Sequence, residues 1–201
     1  MTAFDSLTAF EDQIATFFNA PYAVAVDCCT HGLELCLRYE KAKLIQVPKH
    51  TYLSVPMLAS KLGIDLQWKD EKWQNCYYIT ENIIDAAVLW KENSYVSGTY
   101  MVLSFQFRKH LSLGRGGMIL TDNLQAAKQL KLMSYDGRDN TNGPWAEQDI
   151  TSIGYHYYMT PEIAQLGLSK FHDAICTKPA SWSWKNYPDI SKFKVFNNDR
   201  I

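Results

Sequence analysis

The chain has no excess of basic residues: 20 lysines and arginines stand against 21 aspartates and glutamates, a formal net charge of −1. A nucleic-acid-binding surface, which needs a clustered basic surplus, is therefore not expected. No apolar run approaches the roughly 20 residues needed to span a bilayer, so no membrane span is expected. The opening residues Met1-Thr-Ala-Phe-Asp-Ser lack a basic stretch followed by an apolar one, so no secretory signal is expected and the setting reads as cytoplasmic. The five cysteines, at 28, 29, 36, 76 and 176, are odd in number. Their spacing suits neither a disulfide framework nor a zinc site, so no metal centre is expected. No internal repeat or low-complexity stretch is visible.

What is present is a chain of 201 residues with 47% hydrophobic side chains, enough for one well-buried domain. Thr8 to Glu11 has capping-box spacing, and Ile14, Phe17 and Phe18 follow at helical intervals. Tyr22 to Asp27 is a short, valine-rich run that reads as a buried strand. Cys28 to Gly32 reads as a small-residue turn, and Leu33 to Lys43 as a helix. Strand-like runs follow at Leu44–Val47, Asp65–Trp68, Tyr77–Thr80, Ile83–Ile84, Met101–Phe105 and Gly116–Thr121. Helical segments fall at Leu53–Leu62, from Asp122 to about Met133, and from Thr160, with Pro161 in the first turn. Residues 136–148 form a long polar loop of the kind that often carries function. This alternation predicts an α/β fold with a mostly parallel central sheet flanked by helices. It divides into a domain over 1–176 and an aromatic tail over 177–201 that packs on it in extended form.

Three places could carry chemistry. The turn after the first strand puts free backbone N–H groups at a helix N-terminus, an anion site to which Thr30 adds a hydroxyl. An ordinary strand-to-helix turn reads the same way, and Cys28 and Cys29 read as small buried fillers. Asp85 ends the apolar run Ile83-Ile84, where a carboxylate is costly unless paired. A helix cap or a solvated loop position is the alternative. Lys109 follows a strand and precedes Gly114-Arg-Gly-Gly117, whose glycines let backbone approach a ligand closely. Most lysines are merely exposed, but a desolvated one becomes a nucleophile. Ser104, five residues before Lys109, could donate to the same anion as Thr30. An anion turn, an aromatic, a buried carboxylate and a serine–lysine pair are together what pyridoxal phosphate needs.

In this order the residues resemble the DegT/DnrJ/EryC1/StrS sugar aminotransferases, a family of fold-type-I pyridoxal-phosphate enzymes. The resemblance runs from about Phe10 to Phe171 with gaps. Tyr22 to Leu33 is similar to the family's strand and phosphate turn, which places Cys29 and Thr30 at the cofactor phosphate. Val47-Pro-Lys-His-Thr-Tyr52 resembles the segment whose aromatic stacks on the cofactor ring, a role that falls to Tyr52. Asp85-Ala-Ala87 resembles the family's Asp-Ala-Ala and puts Asp85 at the pyridine nitrogen. Ser104 to Lys109, then Gly114 to Gly117, resembles the lysine motif; the resemblance implies that Lys109 holds the cofactor covalently and Ser104 helps anchor its phosphate. Gly154 to Met159 resembles a segment that reaches the neighbouring subunit's cofactor, which assigns that role to His156 and a substrate contact to Tyr158.

The resemblance thus implies pyridoxal 5'-phosphate as cofactor, catalysis by Lys109 and Asp85, and a homodimer with shared sites. It implies glutamate as amino donor and a nucleotide-linked keto sugar as acceptor, with Arg115 and Tyr158 as substrate contacts; Arg138 is a candidate for the donor carboxylate or the diphosphate, with a solvated surface role as the alternative. This sequence departs from the family pattern at four positions: Val88 for Gln or His, His156 for Asn, Tyr158 for Arg, and Arg115 for Glu. The stretch from Trp68 to Asp85 is short for the family, and its smaller C-terminal domain is expected to be absent or reduced. A non-catalytic binding relic of the same fold, or a partner of a full-length enzyme, is the alternative.

Overall fold

A computed structural model describes residues 4–196; the outermost parts of the two expected segments, 1–3 and 197–201, lie outside the described residues. Helix α1 (Asp5–Phe18) forms because Leu7, Phe10, Ile14 and Phe18 recur at helical spacing and all are buried. It starts three residues before Thr8, capped by Phe4 without a side-chain bond, so the expected capping box is not formed. Glu11 instead turns inward, accepting from the Ala25 N–H at 2.8 Å and pairing with Lys131 at 2.6 Å. The helix ends where Asn19 takes the left-handed conformation that asparagine tolerates.

Strand β1 (Tyr22–Val26) leads into α2 (Cys29–Tyr39), then β2 (Leu44–Pro48), α3 (Ser54–Leu62) and β3 (Asp65–Lys69). The short strands β4 (Tyr77–Tyr78) and β5 (Ile83–Asp85) come next, then β6 (Tyr100–Ser104), β7 (Gly117–Thr121), α4 (Leu124–Ser134) and α5 (Pro161–Cys176). Five strands form one sheet in the order β1-β7-β6-β5-β4, and β2 pairs with β3 separately.

Strand alternation sorts the core into two layers. Val24, Val26, Ile83, Val102 and Ile119 face α2, α3 and α4, whereas Ala23, Ala25, Ile84, Met101, Leu103, Met118 and Leu120 face α1 and α5. The expected α/β class with flanking helices is therefore present, but the sheet is mixed rather than mostly parallel. Only β5–β6 and β2–β3 pair in parallel; β1–β7, β7–β6 and β4–β5 are antiparallel. Residues 105–116 hold no crossover helix, and without one β7 can return beside β6 only in the opposite direction. Inserted between β1 and β6, this one reversed strand creates two antiparallel ladders.

Two further expectations are corrected. The turn placed at Cys28–Gly32 is the first turn of α2, with Cys28 as its cap. The tail is not simply extended: Trp184–Asn186, Ile190–Lys192 and Lys194–Phe196 each form a 3-10 turn. Backbone bonds tie it to the domain, from Asn75 N–H to Trp182 O (2.9 Å), Trp184 N–H to Trp73 O (3.2 Å) and Ile190 N–H to Lys49 O (2.9 Å).

Candidate active site

The C-terminal ends of β5 and β6, the N-terminus of α2 and the loop after β6 converge on one place. Asp85 closes β5 and is buried. One of its oxygens accepts from the Ala87 N–H at 2.9 Å and the other from the Tyr77 hydroxyl at 2.5 Å. Burial raises the Asp85 carboxyl above its ordinary range, against the lowering effect of the Tyr77 and Ala87 hydrogen bonds and of Lys109.

Lys109 lies half-buried in the loop after β6, with its backbone N–H on Gln106 O at 2.8 Å. Its amine sits 5.6 Å from the centre of the Trp182 ring, contributed by the tail. Burial pushes this amine below the usual lysine range, while Cys29 and Asp85 pull it back up. A neutral amine is thereby more accessible here than on an exposed lysine. Lys109 and Ser104 line a cavity of about 110 Å³ together with Ala87, Val88, Trp90 and Trp182.

Helix α2 begins against this cluster. Its first N–H groups have no acceptor within the helix and present partial positive charge. Gly117 allows the close fit: a Cβ there would lie 2.6 Å from backbone atoms of Cys28 and Cys29. Cys29 is buried and its Sγ donates to Val102 O at 3.5 Å. Burial holds that thiol far above its usual range, next to Asp85, so it stays protonated. The Thr30 hydroxyl bonds the Ser54 hydroxyl at 2.7 Å. Ser104, expected to share an anion with Thr30, accepts from the Gln106 N–H at 3.4 Å.

Beside this turn Asp27 takes hydrogen bonds from His31 and from Arg115, each at 2.7 Å. Burial works against ionised Asp27, but these two partners outweigh it and hold the carboxyl below its usual range. Burial would also lower His31, yet the Asp27 bond prevails and lifts its pKa to about 9. Ligand atoms of Asp27, Cys28 and His31 lie within 4.8 Å of one another. Both carboxylate oxygens of Asp27 already serve cations of the protein, so the cluster works as an ion-pair network. Arg115 is thereby committed to Asp27 rather than held free.

The remaining predicted residues stand apart. Tyr52 is 63% exposed at the rim. His156 is exposed in the left-handed conformation (φ 57°) and pairs with Asp136 at 2.9 Å. Tyr158 packs edge-on against Tyr135 at 4.7 Å and walls a separate cavity of about 430 Å³ with Lys131 and Arg138. Within one chain His156 and Tyr158 do not join the Lys109 cluster.

Three neighbours of the cluster were not anticipated as site residues. Tyr77 and Thr51 are buried against Asp85, and the two hydroxyls hydrogen-bond each other. Tyr187, from the tail, is driven up to about 12 by burial and by Asp85, Cys29 and Tyr52. The pairing of the two short strands sets Tyr77 opposite Asp85.

A sequence profile of the DegT/DnrJ/EryC1/StrS aminotransferase family matches residues 1–94 and 92–175. Uncharacterized protein MJ1066 of Methanocaldococcus jannaschii is 32% identical over 78 residues, covering 35% of this chain and 20% of that protein. Among solved structures, the sugar aminotransferase CalS13 of Micromonospora echinospora superposes with a TM-score of 0.69 at 14% identity, over 85% of this chain and 61% of that one. Spr1654 of Streptococcus pneumoniae in its PLP-form gives 0.69 at 16% identity, over 85% and 60%. The chain thus spans about 60% of the length of these structures and 20% of the curated relative. The superpositions establish a shared fold.

Proposed function

Because the chain belongs to the DegT/DnrJ/EryC1/StrS aminotransferase family, we propose that it is the cofactor-holding part of a pyridoxal-phosphate-dependent aminotransferase. The observation that carries this reading is the meeting of a desolvated amine, Lys109, and a buried carboxylate, Asp85, beside the N-terminus of α2. That donor set fits pyridoxal 5'-phosphate: an amine for its aldehyde, an anion for its ring nitrogen and a helix N-terminus for its phosphate. When bound, the cofactor supplies the electron sink that lets an amino group leave one carbon for another.

The chain's own residues do the rest. Lys109 holds the cofactor, and its lowered pKa leaves Nζ able to take and return a proton at the substrate carbon. Asp85 places a negative charge where a pyridine nitrogen must keep its proton. Cys29, through its backbone, and Thr30, with Ser104, receive the phosphate. Tyr52 offers its ring face at the rim. Trp182 and Trp90 shield the amine from water. By family likeness the donor is glutamate and the acceptor a keto sugar on a nucleotide. Tyr158 is then a substrate contact, as is Arg115 once an anionic substrate draws it from Asp27, and His156 reaches the site of the second copy in a cytoplasmic homodimer. No helix among the described residues is long and apolar enough to cross a membrane.

The test is the visible spectrum with added pyridoxal phosphate. A yellow band should appear, bleach on adding glutamate, and be missing in Lys109→Ala. A protein that stays colourless contradicts the reading. A second reading, a binding relic, is favoured by one observation: the cavity at Lys109, about 110 Å³ with Trp182 in its wall, is below the ~300 Å³ of ordinary ligand pockets. A band that glutamate leaves unchanged would favour it.

A further inference from the structure

Asp85 is held by more than its own strand. Tyr77 stands directly opposite it in the β4–β5 register, and the phenol is buried. A phenol has one proton, and Tyr77 gives it to Asp85 Oδ2 at 2.5 Å. The Thr51 hydroxyl, buried beside the same phenol oxygen, must then be the donor in their mutual bond. The result is a one-directional chain from Thr51 to Tyr77 to Asp85, with the Ala87 N–H on the second carboxylate oxygen. A carboxylate has about four lone-pair positions, so these two donors leave room for a third.

From this geometry we infer that Tyr77, oriented by Thr51, is a positioning residue that keeps Asp85 ionised and fixed for contact with the protonated ring nitrogen of the cofactor. The inference rests on the reading of the site as a pyridoxal-phosphate site. Its physical basis is that hydrogen bonds to the charged form favour that form, whereas burial favours the neutral acid. The groups whose charge reaches Asp85 are Lys109 from the loop after β6, Cys29 from α2, Cys76 before β4, Tyr77 itself and Tyr187 from the tail. Both thiols and both phenols are raised by burial and stay neutral below pH 8. Lys109 is then the one other charge, and Tyr77 the one side-chain donor, among the described residues that act on Asp85 there.

The test has two arms. In the cofactor-free protein, carbon-13 NMR of the aspartate carboxyls follows the Asp85 titration, identified by its loss in Asp85→Asn. Tyr77→Phe keeps the ring and removes the donor; it should raise the Asp85 midpoint by about one unit or more. Thr51→Val, which leaves the phenol in place, should move it in the same direction by less. An unchanged midpoint in both variants overturns the inference, and Thr51→Val decides it if Tyr77→Phe fails to fold. In the second arm, pyridoxal phosphate is titrated into the full chain. Tyr77→Phe should weaken uptake about tenfold and shift the pH dependence of the bound absorption band, yet cost nothing further in an Asp85→Asn background. A full extra loss in that background assigns Tyr77 a merely structural role. If the wild type takes up no cofactor while the first arm shows the expected shift, the functional reading fails and the Thr51–Tyr77–Asp85 linkage stands.

Discussion

The two halves of the candidate site are built differently. In the inner half the key groups have partners inside the fold: Asp85 takes Tyr77 and Ala87, Tyr77 takes Thr51, and Lys109 lies under Trp182. In the outer half the ionic groups pair with one another across partly solvated surface, Arg115 and His31 with Asp27, as His156 does with Asp136 away from the cluster. Inner geometry is fixed by packing, where an unpaired group costs about 1–3 kcal/mol. Outer geometry is held by exposed ion pairs worth at most about 1 kcal/mol each. An inner half set in advance beside an outer half held by partly solvated ion pairs suits the proposed sharing of the site between two copies.

The largest expected effect comes from opening the inner half. Trp182→Ala removes the indole over Lys109 and readmits water. The Lys109 amine should titrate about one unit higher, read by NMR of its ε-carbon. Chemical denaturation should show a loss of about 2 kcal/mol, short of the 3–5 typical of a fully buried tryptophan. An unshifted amine would mean that the tail does not govern its solvation.

A smaller effect separates the outer half. The His31 pKa is raised, so its ion pair contributes fully below pH 6.5, and that stability is lost as pH climbs through about 9. The Asp27 pKa is lowered, so its contribution is lost instead as pH falls through its depressed value. Asp27→Asn should return the His31 midpoint towards 6.5. It should also flatten the decline in stability between pH 7 and 9, a change of at most about 1 kcal/mol. Identical slopes in wild type and variant would contradict the assignment.

The smallest effect is at His156, away from the cluster. His156→Ala should change the stability of the cofactor-free chain by less than about 0.5 kcal/mol, because the ring is exposed. A larger loss would place His156 in the inner, structural class.

The sequence made the inner anchors legible because they sit in contiguous motifs. Asp85-Ala-Ala87 and Ser104 to Gly117 each carry their meaning locally, and the strand-to-helix step at Cys29-Thr30 follows from valine-rich alternation and helical spacing. What supports Asp85 was hidden because Thr51 and Tyr77 come from separate segments. Tyr77 meets it only through a strand pair two or three residues long, where alternation says too little to set register, and Thr51 reaches the Tyr77 hydroxyl from the loop after β2. The reversed direction of β7 was likewise invisible to alternation, which has the same period in either sense. The lack of a helix between Phe105 and Gly116 was the signal that could have given it. The tail's aromatics were recognised as suited to burial, but the contact of Trp182 with Lys109 depends on a path that no periodicity encodes. Phe193, in the same tail, remains 40% exposed.

The central claim is that Lys109 holds the cofactor. The most direct measurement is to incubate the protein with pyridoxal phosphate, reduce with borohydride, digest, and locate the modified lysine by mass spectrometry. The account predicts one pyridoxyl-phosphate group per chain on Lys109, with exposed lysines such as Lys41 and Lys178 unmodified. Labelling scattered over surface lysines, and unchanged in Lys109→Ala, would contradict it.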